Sequence, residues 1–303
     1  MVQKRAVILG GTGAIGRELC KSLSGMGFEL TIVSRDIEKS KESVFKAKKF
    51  VQYDINNPKG LSKAIDGSSV VVNLSGAPIF GKWRGNYENE VIDSRVKGTE
   101  YVVKAMEEAN SKPEVFVNGS AAGFYGYSKN VAVDELSGAG SDFWAELVKK
   151  WEEEALKAEK FNIRTVLIRT TLVLQKDEGA LGVLVPYFKR GLGGYVRPGD
   201  QIFSWVGIED EIGIILKVIE NEGFSGPINC VSGTVSSKEF SSAIGKIMGK
   251  RGSLPIPGFI IKSMFGKAAD LVLKSQIVSS SRMKSLDYTI QGKSLEDTLR
   301  KSM

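Results

Sequence analysis

The run Val7-Ile8-Leu9-Gly10-Gly11-Thr12-Gly13-Ala14-Ile15-Gly16 constrains the fold more than any other part of the chain, because it sets a glycine-rich turn between an apolar strand and an amphipathic helix. Each glycine answers a separate demand. Gly10 permits a tight strand-to-helix turn, Gly13 removes a Cβ where the backbone must approach a ligand, and Gly16 lets the helix pack closely on the sheet. The helix is predicted to begin near Ala14 and to carry Leu19, Leu23 and Met26 along one stripe. Its free N–H groups and positive dipole end suit a diphosphate. With Thr12, Ala14 and Ile15 completing the turn, the run reads as a dinucleotide site.

Which dinucleotide is read from the end of the second strand, Leu30-Thr31-Ile32-Val33. A site selective for NAD places Asp or Glu at that tip to hold the ribose 2′-hydroxyl. Here the tip is Ser34-Arg35, and Arg35 suits the 2′-phosphate of NADP. Asp36 opposes that reading only mildly, since it precedes Ile37-Glu38-Lys39 as a helix N-cap would. The expected cofactor is NADP (NADPH).

Histidine is absent from the 303 residues, which excludes Ser-His-Asp triads, Cys-His pairs, histidine metal sites and histidine proton shuttles. Acid–base work falls to Tyr, Lys, Ser, Asp or Glu. The net charge of +7 reads as a solvated lysine excess that also suits an anionic cofactor, and no basic-aromatic cluster points to nucleic acid. Cys20 and Cys230 fall in an apparent helix and an apparent strand and read as reduced packing residues. With a first strand at about Arg5 no leader is expected, and no apolar run has membrane-spanning length. A cytoplasmic protein with no membrane partner is expected.

Strands are predicted near Arg5–Leu9, Glu29–Val33, Phe50–Tyr53, Ser69–Leu74, Glu114–Asn118 and Arg164–Arg169, with helices between them. That alternation predicts a doubly wound, Rossmann-type parallel sheet of the α/β class. A long helix is expected from about Glu88 to Asn110 and another from Asp142 to about Glu159. Beyond Thr170 the pattern weakens, then returns at Pro227–Val231 and Ser236–Met248. Residues 1–170, with 207–250 returning to them, are expected to form the nucleotide domain. Residues 171–206 and 251–303 are expected to form a smaller substrate lobe and a polar C-terminal extension.

The chain resembles the atypical extended short-chain dehydrogenases/reductases, and within them the "epimerase family protein" branch with its C-terminal extension. The resemblance runs through Asn73-Leu74-Ser75-Gly76-Ala77-Pro78-Ile79, Ser94-Arg95, Ser120 to Gly126, Trp151-Glu152, Arg169-Thr170, Gly179-Ala180-Leu181, Ser204-Trp205 and Leu254-Pro255-Ile256-Pro257-Gly258-Phe259. It implies that Asp54 and Ile55 contact adenine, that Asn73, Leu74, Ser75 and Gly76 pass the diphosphate and nicotinamide ribose, and that Ser120, after the fifth strand, meets the reacting oxygen. Tyr125 belongs to the Tyr-Gly pair that, in extended members, follows this strand toward the nicotinamide. Its alternative role is aromatic packing.

The Tyr-x-x-x-Lys pair of the superfamily is missing from its helix, where this chain carries Phe143 and Leu147, neither able to exchange a proton. A literal match, Tyr125 to Lys129, lies in a glycine-broken loop and reads as coincidental. Lys149, Lys150 and the Glu152-Glu153-Glu154 run read as solvated surface, and Arg95 and Arg169 bind either an anionic substrate or structural carboxylates. Gln201 and Trp205 fall in a segment that resembles the branch's substrate-side loop, but Trp205-Val206-Gly207 replaces its usual Trp-Ile-His. Two functions follow. The first is an NADP-dependent oxidoreductase or nucleotide-sugar-epimerase-like enzyme, monomeric or homodimeric, acting on an unknown small molecule through Ser120 and Tyr125. The second is a non-catalytic NADP-binding regulatory or protein-interaction module, since some relatives carry names that connect them with cell or plastid division.

Overall fold

The computed structural model describes residues 4–44, 46–54, 60–80, 83–128, 131–292 and 294–303. In chain order the strands are β1 (Arg5–Leu9), β2 (Glu29–Ser34), β3 (Lys49–Gln52), β4 (Val70–Asn73), β5 (Val115–Ala121), β6 (Ala132–Val133), β7 (Arg164–Thr170), β8 (Leu172–Leu174), β9 (Gly194–Val196), β10 (Ile202–Gly207), β11 (Gly226–Cys230), β12 (Gly233–Ser236), β13 (Leu254–Ile256) and β14 (Ile277–Val278). The helices are α1 (Ala14–Gly25), α2 (Ile37–Ser43), α3 (Leu61–Ile65), α4 (Tyr87–Glu108), α5 (Phe143–Leu156), α6 (Gly179–Lys189), α7 (Ile208–Glu220), α8 (Ser237–Met248), α9 (Gly258–Phe265), α10 (Asp270–Leu273) and α11 (Leu295–Lys301).

Seven strands form one parallel sheet in the order β11-β7-β5-β4-β1-β2-β3. The doubly wound α/β fold expected from the alternating pattern is therefore the one observed. Strand β4, Val70-Val71-Val72-Asn73, is buried at every position because helices cover both faces of the sheet. On one face α1 and α7 enclose a core that includes Ile8, Leu19, Ile32, Val72, Ile214 and Ile228. On the other, α3, α4 and α5 pack over Val7, Val71, Phe116 and Leu167.

The smaller lobe contains the sheet β12-β10-β8 and the pair β13-β9, while β14 pairs with β6. Its core gathers Leu181, Phe188, Trp205, Phe240 and Leu299. Among the described residues no helix is long and apolar enough to cross a membrane.

Three expectations need correction. Met26 does not continue the buried stripe of α1, because the helix ends one residue earlier and Met26 is its exposed C-cap. Strand β5 runs to Ala121, so Ser120 lies inside the strand rather than after it. The helix expected to reach Glu159 tightens after Leu156 into a 3-10 turn. The polar C-terminal extension is docked on the fold: Leu299 is fully buried, and the carboxylate of Asp210 accepts from the Tyr288 hydroxyl (3.0 Å), Gln291 N (2.7 Å), Gly292 N (3.1 Å) and Ser232 Oγ (2.8 Å).

Candidate functional site

The strand order reverses between β1 and β4, and open α/β sheets form their ligand crevice at such a reversal, beyond the carboxyl ends of the strands. The sequence-predicted residues Gly10 to Gly16, Ser34, Arg35, Asn73 to Gly76 and Ser120 all stand along that edge.

At Gly10 the chain leaves β1 with φ +79°, and the Gly10 carbonyl accepts from Gly13 N at 3.0 Å to close the turn. A Cβ on Gly10 would stand 2.7 Å from the Leu74 backbone, and one on Gly16 would overlap the Gly10 carbonyl. Helix α1 then starts without a side-chain cap and with no acidic residue in its first turn. Its leading N–H groups are left for an anion. Around them, the Thr12 carbonyl accepts from Arg17 Nη1 (2.6 Å), the Ala14 carbonyl accepts from Gln175 Nε2 (3.3 Å), and Ile15 packs onto the core. Arg17 also pairs with Glu178.

Asp36 caps α2 as expected, accepting from Lys39 N at 3.1 Å, and Ser34 Oγ accepts from Asp36 N at 3.2 Å. Arg35 is exposed and pairs with no carboxylate among the described residues. Asp54 is exposed just beyond β3, and Ile55 lies outside the described residues, as does Lys129 of the Tyr125–Lys129 match. Asn73 organises the next loop. Its Nδ2 donates to Thr99 Oγ1 (3.1 Å) and Asn118 Oδ1 (2.8 Å), while its Oδ1 accepts from Ser75 N (3.2 Å) and Ser75 Oγ (2.6 Å). Leu74 N donates to the Leu9 carbonyl at 2.9 Å, which ties this loop to the end of β1. Gly76 lies under the Arg95 guanidinium, which donates to the Ala77 (3.1 Å) and Val91 (3.2 Å) carbonyls and stacks over Trp151.

The centre of the site is a buried polar chain that the sequence did not announce. Sheet register sets Ser120 beside Arg169 and Arg169 beside Asn229, on one rung across β5, β7 and β11. Ser120 Oγ donates to Glu152 Oε1 at 2.5 Å. Arg169 grips the same carboxylate with Nε (2.9 Å) and Nη2 (2.8 Å), and its Nη1 donates to the Tyr125 hydroxyl at 2.9 Å. Tyr125 in turn donates to Asn229 Oδ1 at 2.7 Å. Asn229 Nδ2 continues to the Ser279 carbonyl at 2.7 Å. Burial raises the Tyr125 phenol above its usual range and Arg169 partly offsets this, so the group is neutral. The Arg169 guanidinium also lies 3.6 Å from the centre of the Phe124 ring.

Glu152, expected on the solvated surface, is therefore corrected to a buried anion, and Arg169 holds a structural carboxylate. Lys149 and Lys150 are exposed as expected. On the face of α5 where a proton donor was sought, Phe143 meets Trp83 and Trp144 edge-on, with Lys267 Nζ 4.1 Å from its ring centre. Gln201 braces its own turn through Gly199 N and the Arg197 carbonyl, and Trp205 is a core residue of the smaller lobe. Among the described residues no His, Cys, Asp and Glu cluster can hold a metal ion.

Comparison with known proteins agrees with this geometry. Residues 6–230 match the NAD dependent epimerase/dehydratase family. An Arabidopsis thaliana protein named as a chloroplastic homolog of epimerase family protein SDR39U1 is 34% identical over 99% of this chain and 87% of its own length. The human epimerase family protein SDR39U1, solved with NADPH, superposes with a TM-score of 0.87 at 28% identity and covers 98% of both chains. A Bacillus cereus UDP-glucuronic acid 4-epimerase, solved with UDP-glucuronic acid and NAD, shares the fold at 20% identity with a TM-score of 0.80, over 98% of this chain and 97% of that one.

Proposed function

Because this chain belongs to the NAD dependent epimerase/dehydratase family, among the atypical extended short-chain dehydrogenases/reductases, we propose that it is an NADPH-dependent oxidoreductase in which Ser120, rather than a Tyr-Lys pair, meets the reacting oxygen. The observation that carries this reading is the 2.5 Å bond from Ser120 to a carboxylate that Arg169 holds in place. The glycine turn, the uncapped start of α1 and the loop at Asn73 to Gly76 suit the dinucleotide, and the exposed Arg35 suits its 2′-phosphate. Bound NADPH would supply the hydride. With its own proton on Glu152, Ser120 Oγ offers a lone pair that orients a substrate or product hydroxyl, and water exchanges the proton. Tyr125 acts on that pair through Arg169. Residues 171–206 and 251–303 would supply the substrate side.

Titration calorimetry with NADPH and NADH tests the cofactor half. Arg35→Ala is expected to weaken NADPH binding by about 10- to 150-fold and to leave NADH unchanged, the worth of one charge-assisted hydrogen bond. Equal affinity of the unaltered protein for both nucleotides would refute NADP selectivity. Ser120→Ala is expected to keep NADPH affinity while lowering single-turnover oxidation of NADPH by a panel of small carbonyl compounds about 10- to 100-fold.

One feature favours a second reading. The hydroxyl protons of Ser120 and Tyr125 are both committed inside the protein, to Glu152 and Asn229. A chain that binds NADPH tightly and oxidises it with no member of the panel is a nucleotide-dependent regulatory or protein-interaction module.

A further inference from the structure

The positive charge of this chain is not spread evenly. Residues 179–199 contain Lys189, Arg190 and Arg197 and no carboxylate, and residues 240–269 contain Lys246, Lys250, Arg251, Lys262 and Lys267 and no carboxylate. Excesses of three and five in these two stretches exceed the whole net charge of +7, so the rest of the chain carries a slight negative excess. The fold brings the stretches together: β9 pairs with β13 in the register Gly194↔Leu254 and Val196↔Ile256, and Gly193 and Gly252 both abut the Phe188 ring. Lys246 and Lys267 are spent on Glu296 and Glu88. Lys189, Arg190, Lys250, Arg251 and Lys262 are exposed and pair with no carboxylate among the described residues.

The same lobe carries large apolar side chains in solvent. Tyr187, Leu192, Leu254, Phe259, Ile260 and Met264 are all exposed, Leu192 at 57% and Phe259 at 72%. In α9 the inward stripe is already satisfied, since Ile261 and Phe265 pack against Val196 and Ile256. Phe259, Ile260 and Met264 therefore face solvent. Each apolar tip stands beside a cation in the chain: Leu192 follows Lys189-Arg190, Leu254 follows Lys250-Arg251, and Phe259 is three residues before Lys262 on the helix.

We propose that this lobe docks the protein on an anionic phospholipid surface, with Phe259, Ile260, Leu192 and Leu254 entering the interfacial layer and Lys189, Arg190, Lys250, Arg251 and Lys262 meeting lipid phosphates. Charge complementarity selects the occupant, because the exposed cations Lys189, Arg190, Lys250, Arg251 and Lys262 attract an anionic layer, while the carboxylate beside Phe259 and Lys262, Asp270, is paired with Lys274. Shape selects a bilayer over a helix-binding protein groove. The apolar groups are separate tips on a turn, an edge strand and a short helix, which suits shallow insertion into a soft layer. The expectation of no membrane partner came from the absence of a spanning segment, and a surface contact needs none.

Flotation of the purified full chain with vesicles tests this. Binding is expected to vesicles of phosphatidylcholine mixed with phosphatidylglycerol and not to phosphatidylcholine alone, and it is expected to fall steeply with added salt. Lys250→Ala/Arg251→Ala is expected to lower partitioning about 30-fold, and Phe259→Ala about 10-fold or more. Lys149→Ala/Lys150→Ala, the same charge change on the exposed face of α5, is expected to leave it unchanged. All five positions chosen in the lobe and on α5 are exposed, and a shared melting temperature checks that each variant is folded. Absence of binding to the anionic vesicles, or equal loss with the α5 pair, would overturn the proposal. So would lipid-independent self-association that Phe259→Ala abolishes, since a second copy would then cover the face.

Discussion

Arg169→Ala is expected to lower the unfolding free energy by about 3–5 kcal/mol, because it strands the buried Glu152 carboxylate without the guanidinium that pairs with it. The bidentate grip on Glu152 and the contact to Tyr125 are lost together. Glu152→Leu/Arg169→Met removes both charges at once. It leaves the Ser120 and Tyr125 hydroxyls each short of one partner, at about 1 kcal/mol apiece, so the double variant is expected to be more stable than Arg169→Ala alone. Urea unfolding of the three proteins reads this order directly. A loss below about 1 kcal/mol for Arg169→Ala would mean that water reaches Glu152 and that the pair is not the buried strut described here.

The same comparison separates support from chemistry. Ser120 and Tyr125 reach each other only through Glu152 and Arg169. The double variant should therefore keep the glycine turn and its NADPH affinity while freeing the Ser120 hydroxyl. If turnover is lost there although the fold survives, the pair is a positioning device for Ser120. If turnover persists, Ser120 needs no fixed orientation.

The glycine turn was legible because its demands are local. Gly10 must take a positive φ, and Gly16 has no room for a Cβ against a neighbour six residues away in the chain. Asp36 was legible as a cap for the same reason, its partner lying three residues on. Glu152 was not. Within Glu152-Glu153-Glu154 it looks like its exposed neighbour Glu153, and helical position alone turns it inward. Its partners come from strands on both sides of α5 in the chain, and Asn229 joins them only after the sheet gains β11 at its edge. A row of register-aligned polar residues is a property of the sheet, not of any segment. Leu299 was missed for a related reason: one leucine in a polar tail shows its burial only once α8 and β8 are there to receive it.

Glu211→Gln is expected to stabilise the protein at pH 8 by up to roughly 3 kcal/mol and to change little at pH 4. Glu211 sits in the first turn of α7, fully buried against the sheet, where it accepts from Thr170 Oγ1 at 2.6 Å. Burial pushes its carboxyl up from about 4.5 to about 7, and hydrogen bonds from Thr170 and the Cys230 thiol only partly oppose this. Between those two values the folded chain keeps a proton that the unfolded chain has released. The folded state thus binds more protons, and stability falls as pH rises from about 4.5 to about 7, then levels off. Glutamine is neutral at every pH and keeps the Thr170 bond, so its slope across this window should vanish. Paired urea titrations at pH 4, 6 and 8 measure the difference. A gap that stays constant across the three would show that Glu211 titrates in the fold as it does in the unfolded chain, its charge compensated there by water or a cation.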